Sequence, residues 1–282
     1  MRIGIDITSE NICAILLKNN KIVKTIEKPI YSEERGSEKL IMQKVLTSLH
    51  YIYNPEVVGI GVSLPSTHDK RRGVIYDLDK IPYWREIRIK QIIEAEFKIP
   101  VCINNDINCF IWAEKKYGIC KDYNSFLGII LGPSTGTGFF RNDQPYCRKN
   151  QTFLKHKCLS EANYSYVRIY KGKYTKIIQQ ITFILDQLKN DLPETKDHYL
   201  WSELGINIGK LISTLLDNYD PQIIVLGGNL SKSYINYVDA MDKYLEEYLH
   251  PADFFNTIII SSVINHPRAL GAASLIPDQS RY

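Results

Sequence analysis

No apolar run in this 282-residue chain approaches the roughly 18 residues of a membrane span, so the sequence does not predict a membrane-spanning helix. Its six cysteines (Cys13, Cys102, Cys109, Cys120, Cys147, Cys158) form no C-x-x-C pair. Several lie in apolar strand or helix patterns and read as reduced thiols in a cytoplasm. Charge of one sign is not in large excess either. Lys and Arg number 35 against 31 Asp and Glu, and the resulting +4 does not by itself call for nucleic acid. No repeat is visible at the periods of a solenoid or propeller. The opening residues, MRIGIDITSENICAILL, enter strand pattern at once and show no cleavable signal peptide.

What is present describes a globular protein of about two ordinary domains: 44% hydrophobic and 23% charged residues. Arg2–Ile7, Ile12–Leu17 and Lys21–Glu27 read as strands, with Asn19-Asn20 as a tight hairpin turn. Helices are predicted at Lys39–Leu49 and Lys90–Phe97, and a strand at Val57–Leu64 running into the turn-rich Pro65–Asp69. In the second half, strands are predicted at Phe126–Leu131, Phe139–Arg141, Gln222–Leu226 and Thr257–Ser261. Helices fit Ile177–Lys189, Leu204–Leu216, Tyr234–Leu249 and Arg268–Ile276. This alternation implies mixed sheets covered by helices.

The stretch from Ile99 to Tyr117 organises the rest. A short apolar strand ends in Asn104-Asn105-Asp106, and Ile107, Phe110, Ile111 and Glu114 follow at helical spacing. Ligands of open α/β sheets bind outside the carboxyl ends of strands. A carboxylate there can orient a hydroxyl and accept its proton while adjacent amides grip neighbouring oxygens. The plainer reading of Asp106 is a helix cap. Three further junctions suit a nucleotide. Asp6 ends the first strand before the hydroxyl-bearing Thr8-Ser9, and one carboxylate with waters can hold Mg²⁺. Gly132 to Gly138, with Ser134, Thr135 and Thr137, can cradle phosphates. Gly227-Gly228 clears space for a ring or ribose. Each alone is more often an ordinary turn.

In order and spacing these pieces resemble the ROK family of bacterial sugar kinases and repressors. IGIDI is similar to the start of the family's phosphate-1 hairpin, and VGIGVSLPSTHDKRRGVI to GIGIPGPVD…GVV. IPVCINNDINCFIWAEKKYG is similar to IPVxxENDANAAALGExxxG, and ILGPSTGTGFF to LGTGIGGGII. DPQIIVLGGNL resembles DPExIVLGGGL, and PRALGAASL the family's closing helix. The resemblance implies a two-domain actin/hexokinase-like (ribonuclease H-like) α/β ATPase fold with a central cleft. It places one domain at 1–106 plus 268–282 and the other at 107–267. It implies ATP-dependent phosphorylation of a hexose or aminosugar. Asp106 matches the catalytic base; Asn105, with Asp106 and Glu161, matches the sugar ligands. Thr8, Ser9, Gly132, Gly136, Thr137, Gly138, Gly227 and Gly228 match nucleotide-binding positions, and Asp6 a water-mediated Mg²⁺ ligand. A cytoplasmic homodimer is implied. Since the core pattern starts at Arg2, no DNA-binding domain is expected.

The chain also departs from the family pattern. The D-x-G-G-T turn reads Asp6-Ile7-Thr8-Ser9-Glu10, without its glycines, and Pro133 removes an N–H from the second phosphate loop. Seventeen residues lie between Phe140 and Cys158, with neither the Glu-x-Gly-His sugar clamp nor the His-Cys-Cys-Cys zinc motif. Cys147, His156 and Cys158 lack the four-ligand spacing of a closed site, so no structural zinc is expected. The segment 141–176 is basic and rich in tyrosine, the composition of a lid, a subunit contact or a nucleic-acid surface. The rival to the kinase is a non-catalytic family member that binds sugar or nucleotide as a sensor.

Overall fold

The computed structural model describes residues 1–69, 74–78, 87–132, 135–142, 144–145, 173–190 and 198–277. They divide into two compact units, one of residues 1–118 and 264–277, the other of the described residues between 119 and 263.

The first unit is built on β1 (Arg2–Ile7), β2 (Asn11–Lys18), β3 (Lys21–Pro29), β4 (Ile60–Leu64) and β7 (Val101–Asn105). Their order is β3-β2-β1-β4-β7, antiparallel across β3, β2 and β1 and parallel from β1 through β4 to β7. Asn19 and Asn20 turn β2 into β3 with φ of 50° and 62°, the left-handed pair a tight hairpin needs. Ser66–Asp69 (β5) and Val74–Leu78 (β6) form a separate hairpin where the sequence pattern indicated only turns.

Alternation along each strand assigns the two faces. Ile3, Ile5, Ile7, Ile12, Ala14 and Leu16 pack with Ile41, Val45 and Leu49 of α1 (Glu38–Ile52). Cys13, Ile15 and Leu17 pack instead with Ala113 of α3 (Asp106–Tyr117) and with the last helix, α8 (Pro267–Ala273). Both faces of β1 are therefore covered, and all six of its residues are buried. The remaining helix of this unit is α2 (Ile89–Phe97).

Glycine sets how closely α8 can lie on the sheet. A side chain at Gly4 would overlap the Ala269 carbonyl, and one at Gly61 the Ala272 carbonyl. Gly271 of α8 likewise meets the Cys109 carbonyl of α3. The helix thus rests backbone to backbone on β1, β4 and α3. All of α3 lies in the first unit, which runs to Gly118 and resumes at Ile264; the resemblance implied boundaries at Asp106 and Arg268.

The second unit has the order β10-β9-β8-β11-β12, from Gln144–Pro145, Gly136–Arg141, Ser125–Ile130, Ile223–Gly227 and Ile259–Ser261. Its core joins Leu127, Ile129, Ile224 and Leu226 to α4 (Lys173–Asn190), α5 (His198–Leu216) and α6 (Val238–Tyr248). A short α7 spans Pro251–Asn256. Among the described residues, no helix is long and apolar enough to cross a membrane.

Candidate functional site

Five directly paired residues, one per strand, cross the whole sheet of the first unit. In the order β3 to β7 they are Glu27, Cys13, Asp6, Ser63 and Asn104. Paired residues point to the same face, here the face that α8 covers. The row puts polar groups into a sheet otherwise dominated by isoleucine, valine and leucine.

At the β7 end the chain turns directly into α3. The helix cap is Asn105, not Asp106: the Asn105 side chain accepts the Ile107 N–H at 3.0 Å. Asn104 steadies the turn by accepting from the Asn105 N–H at 2.9 Å and from the Asn108 amide at 3.3 Å. Asp106 is the first helical residue, 5% exposed, and its Oδ1 also accepts from Ile107 N–H, at 2.7 Å. Its own backbone N–H also bonds to the carboxylate. Burial pushes the Asp106 carboxyl up to about 6, against the opposing pull of the Arg268 charge.

Asp6 is held differently. Ser63 donates to its Oδ1 at 2.7 Å, and Arg268 Nε pairs with its Oδ2 at 3.0 Å. Burial raises the Asp6 carboxyl, with Arg268 and Ser63 opposing that rise. The same burial works against the guanidinium charge, but the Asp6 and Asp106 carboxylates outweigh it. Each Asp6 oxygen has one partner here, and Arg268 already offsets the carboxylate charge where a water-mediated Mg²⁺ was expected. The sequence reading missed Arg268 and Ser63. Their signals were a serine in the otherwise apolar β4 and an arginine second in an otherwise small and apolar helix.

The turn after β1 closes on itself. Thr8 Oγ1 accepts from Glu10 N–H and Asn11 N–H and lies 3.0 Å from the Asn11 carbonyl, while Ser9 is buried. A hydroxyl expected at phosphate is thus already engaged in shaping the turn that lost its glycines.

In the second unit, Gly136, Thr137 and Gly138 are strand, not loop. They pair with Ile130, Ile129 and Gly128, and Thr137 is buried. Gly132 keeps open space around its α-carbon, and Thr135 donates back to its carbonyl at 3.0 Å. Gly227 ends β11, and its carbonyl accepts from Leu131 N–H at 2.7 Å. Gly228 has a φ of 91°, and a side chain there would overlap the Leu131 carbonyl. Its glycine is therefore required by backbone packing between two strand ends as well as by any ligand. Pro133, Ser134, Glu161, Cys147, His156, Cys158 and most of the basic segment lie outside the described residues.

This is the setting for comparison with known proteins. A model of the ROK family matches residues 2–150 and 167–279. The chain belongs to the ROK family. A xylose repressor of Bacillus spizizenii is 22% identical over 97% of this chain and 76% of its own. A β-glucoside kinase of Listeria monocytogenes is 32% identical, over 46% of this chain and 42% of its own. Among solved structures, a ROK family glucokinase from Streptomyces griseus in complex with glucose and AMPPNP superimposes with a TM-score of 0.72. It is 16% identical, covering 97% of this chain and 98% of that one. The architecture is thus that of the ROK sugar kinases, the actin/hexokinase-like fold, and the relatives include both kinases and repressors.

Proposed function

We propose that this ROK protein is an ATP-dependent sugar kinase that phosphorylates a hydroxyl of a hexose or aminosugar. The observation that carries the reading is Asp106: a buried carboxyl at a strand-to-helix junction, bonded to backbone N–H groups, with a pKa of about 6. A base with that pKa is ionised at neutral pH, yet basic enough to take a proton from an attacking hydroxyl. Asn105 sits beside it for an adjacent sugar hydroxyl, with Glu161 as the further sugar ligand. The relatives described as glucokinase and β-glucoside kinase support the substrate class. Gly132, Gly136, Gly138, Gly227 and Gly228 are the nucleotide-facing positions in this reading, with Thr8, Ser9 and Thr137 contributing if their present contacts open. Phosphoryl transfer rests largely on positioning and charge stabilisation. The cation beside the acidic centre is Arg268, and no step is assigned to a metal on Asp6. The protein works as a homodimer in the cytoplasm.

The test is a coupled phosphoryl-transfer assay over a panel of hexoses and aminosugars, with Asp106→Asn as the control. Loss of general-base catalysis lowers kcat by about 10²-fold or more while the variant stays folded. Near-normal kcat in that variant removes Asp106 from the role. A second reading has one specific observation behind it. The Arg268–Asp6 pair sets a fixed cation on the acidic centre, an arrangement a non-catalytic sensor would tolerate. Calorimetric binding of sugar or ATP without turnover on any sugar of the panel selects the sensor.

A further inference from the structure

The outer end of the cross-sheet row plays no part in the proposed phosphoryl transfer. Cys13 on β2 and Glu27 on β3 are direct cross-strand partners, and His266 immediately precedes α8. The fold brings this histidine back over residues some 250 positions earlier: His266 Nδ1 lies 3.3 Å from Cys13 Sγ, at a sequence separation of 253. The same nitrogen lies 3.1 Å from Glu27 Oε1. All three ligand atoms lie within 4.8 Å of one another.

Two partner atoms crowd one nitrogen, and the Cys13 thiol is also hydrogen-bonded to the Glu27 carboxylate. Imidazole Nδ1 offers a single in-plane direction, as donor when protonated and as acceptor when not. Protonated, it can make one good bond, to the carboxylate or to the sulfur. Unprotonated, it can accept from the thiol but then faces the carboxylate lone pairs. A cation at the shared focus satisfies all three atoms at once. Bonds of about 2.0–2.3 Å in a tetrahedron set ligand–ligand edges of roughly 3.3–3.6 Å, so the observed 3.3 Å and 3.1 Å need only a small opening.

We propose that Cys13, Glu27 and His266 form a zinc-binding site that clips the β2–β3 edge of the sheet to the start of α8. One sulfur, one imidazole and one carboxylate suit Zn²⁺ better than Mg²⁺ or Ca²⁺, which prefer oxygen alone. Cys13 closes the inner side at 8% exposure. The half-exposed Glu27 side chain and the His266 side chain, 30% exposed, leave an entry path and a fourth position for water. The clip lies two residues from Arg268 and so also fixes the cation that pairs with Asp6. The site is separate from any zinc motif in the segment around Cys147 and Cys158 and does not depend on the kinase reading.

The experiment uses the full chain carrying Cys147→Ser and Cys158→Ser, so that those thiols cannot contribute, stripped of metal with a chelator. Zn²⁺ is titrated against a chromophoric competitor, and Co²⁺ is added in parallel as a spectroscopic probe. The proposal expects one Zn²⁺ per chain, a near-ultraviolet sulfur-to-cobalt charge-transfer band, and a zinc-dependent rise in Tm. Cys13→Ser abolishes the band. His266→Asn, which tolerates the left-handed backbone at that position (φ 50°), weakens zinc by at least about tenfold. Glu27→Gln does the same from a half-exposed position, and it serves as the decisive variant if Cys13→Ser fails to fold. Absence of stoichiometric zinc binding overturns the proposal, as does affinity unchanged in Glu27→Gln and His266→Asn.

Discussion

Arg268 is the residue on which the electrostatics of the acidic centre turn. It neutralises Asp6 directly and lowers the Asp106 carboxyl through space, in both cases against the rise that burial imposes. Replacing it by Met leaves Asp6, 7% exposed, as a buried carboxylate with the Ser63 hydroxyl donating at 2.7 Å. Breaking one side of such a pair costs about 3 kcal/mol, which urea unfolding measures. The same variant removes the charge that holds Asp106 down, so its pH–rate midpoint moves above the starting value of about 6. Arg268→Lys keeps the charge and should restore most of both effects. Unchanged stability together with an unchanged midpoint would show that Arg268 swings away from Asp6 in solution. In the second unit, Tyr237 is fully buried and its hydroxyl has no hydrogen-bond partner among the described residues. Tyr237→Phe removes an unsatisfied polar group without opening a large cavity. Stability is expected to rise by about 1 kcal/mol, readable as a shift in the urea midpoint at constant slope.

At the scale of elements, α8 is where sequence and structure part company. The strand pattern of the first 27 residues, the Asn19-Asn20 hairpin and the strand-to-helix junction at Asp106 were all legible, because period-two burial and turn chemistry are local signals. The closing helix was legible as a helix, but what it carries was not. Arg268 and His266 reach partners on β1, β2 and β3 only because Gly4, Gly61 and Gly271 let the helix settle onto the sheet. No window of sequence contains both sides of those contacts. The phosphate loop failed for the opposite reason. Gly136-Thr137-Gly138 has the composition of a turn, but cross-strand pairing with β8 overrides that composition and makes it strand. Gly271→Ala tests the packing argument. Its methyl would overlap the Cys109 carbonyl, a backbone atom that cannot step aside, so a loss of about 2–3 kcal/mol is expected by urea unfolding. Gly132→Ala, with nothing within 4 Å of the added carbon, should stay within about 0.5 kcal/mol of the parent. Equal effects at the two sites would mean that α8 is not in backbone contact with α3.

Over the whole molecule, activity and stability should run in opposite directions across one pH window, because both depend on the same buried proton. Asp106 ionises at about 6 in the folded chain, above the 3.8 of a free aspartate side chain. Between those two values the folded state holds more protons than the unfolded state. Stability therefore falls as pH rises through the window, and the full cost of the buried carboxylate is present above about 6. Holding the carboxyl at about 6 costs roughly 3 kcal/mol above that pH, since each tenfold change in proton affinity is about 1.4 kcal/mol. The proposed base needs the ionised form, so the rate climbs over the same interval and levels off above it. Asp106→Asn separates the two effects. The amide can keep the bond to Ile107 N–H but has no charge to bury. Near pH 4 the variant and the parent should unfold at similar urea concentrations. By pH 7 the variant should be the more stable, by up to about 3 kcal/mol, while it has lost phosphoryl transfer. If the stability gap does not open between pH 4 and 6, the Asp106 carboxyl is not raised by burial. In that case an acid limb of the rate near pH 6 belongs to another group, and Asp106 loses its claim to be the base.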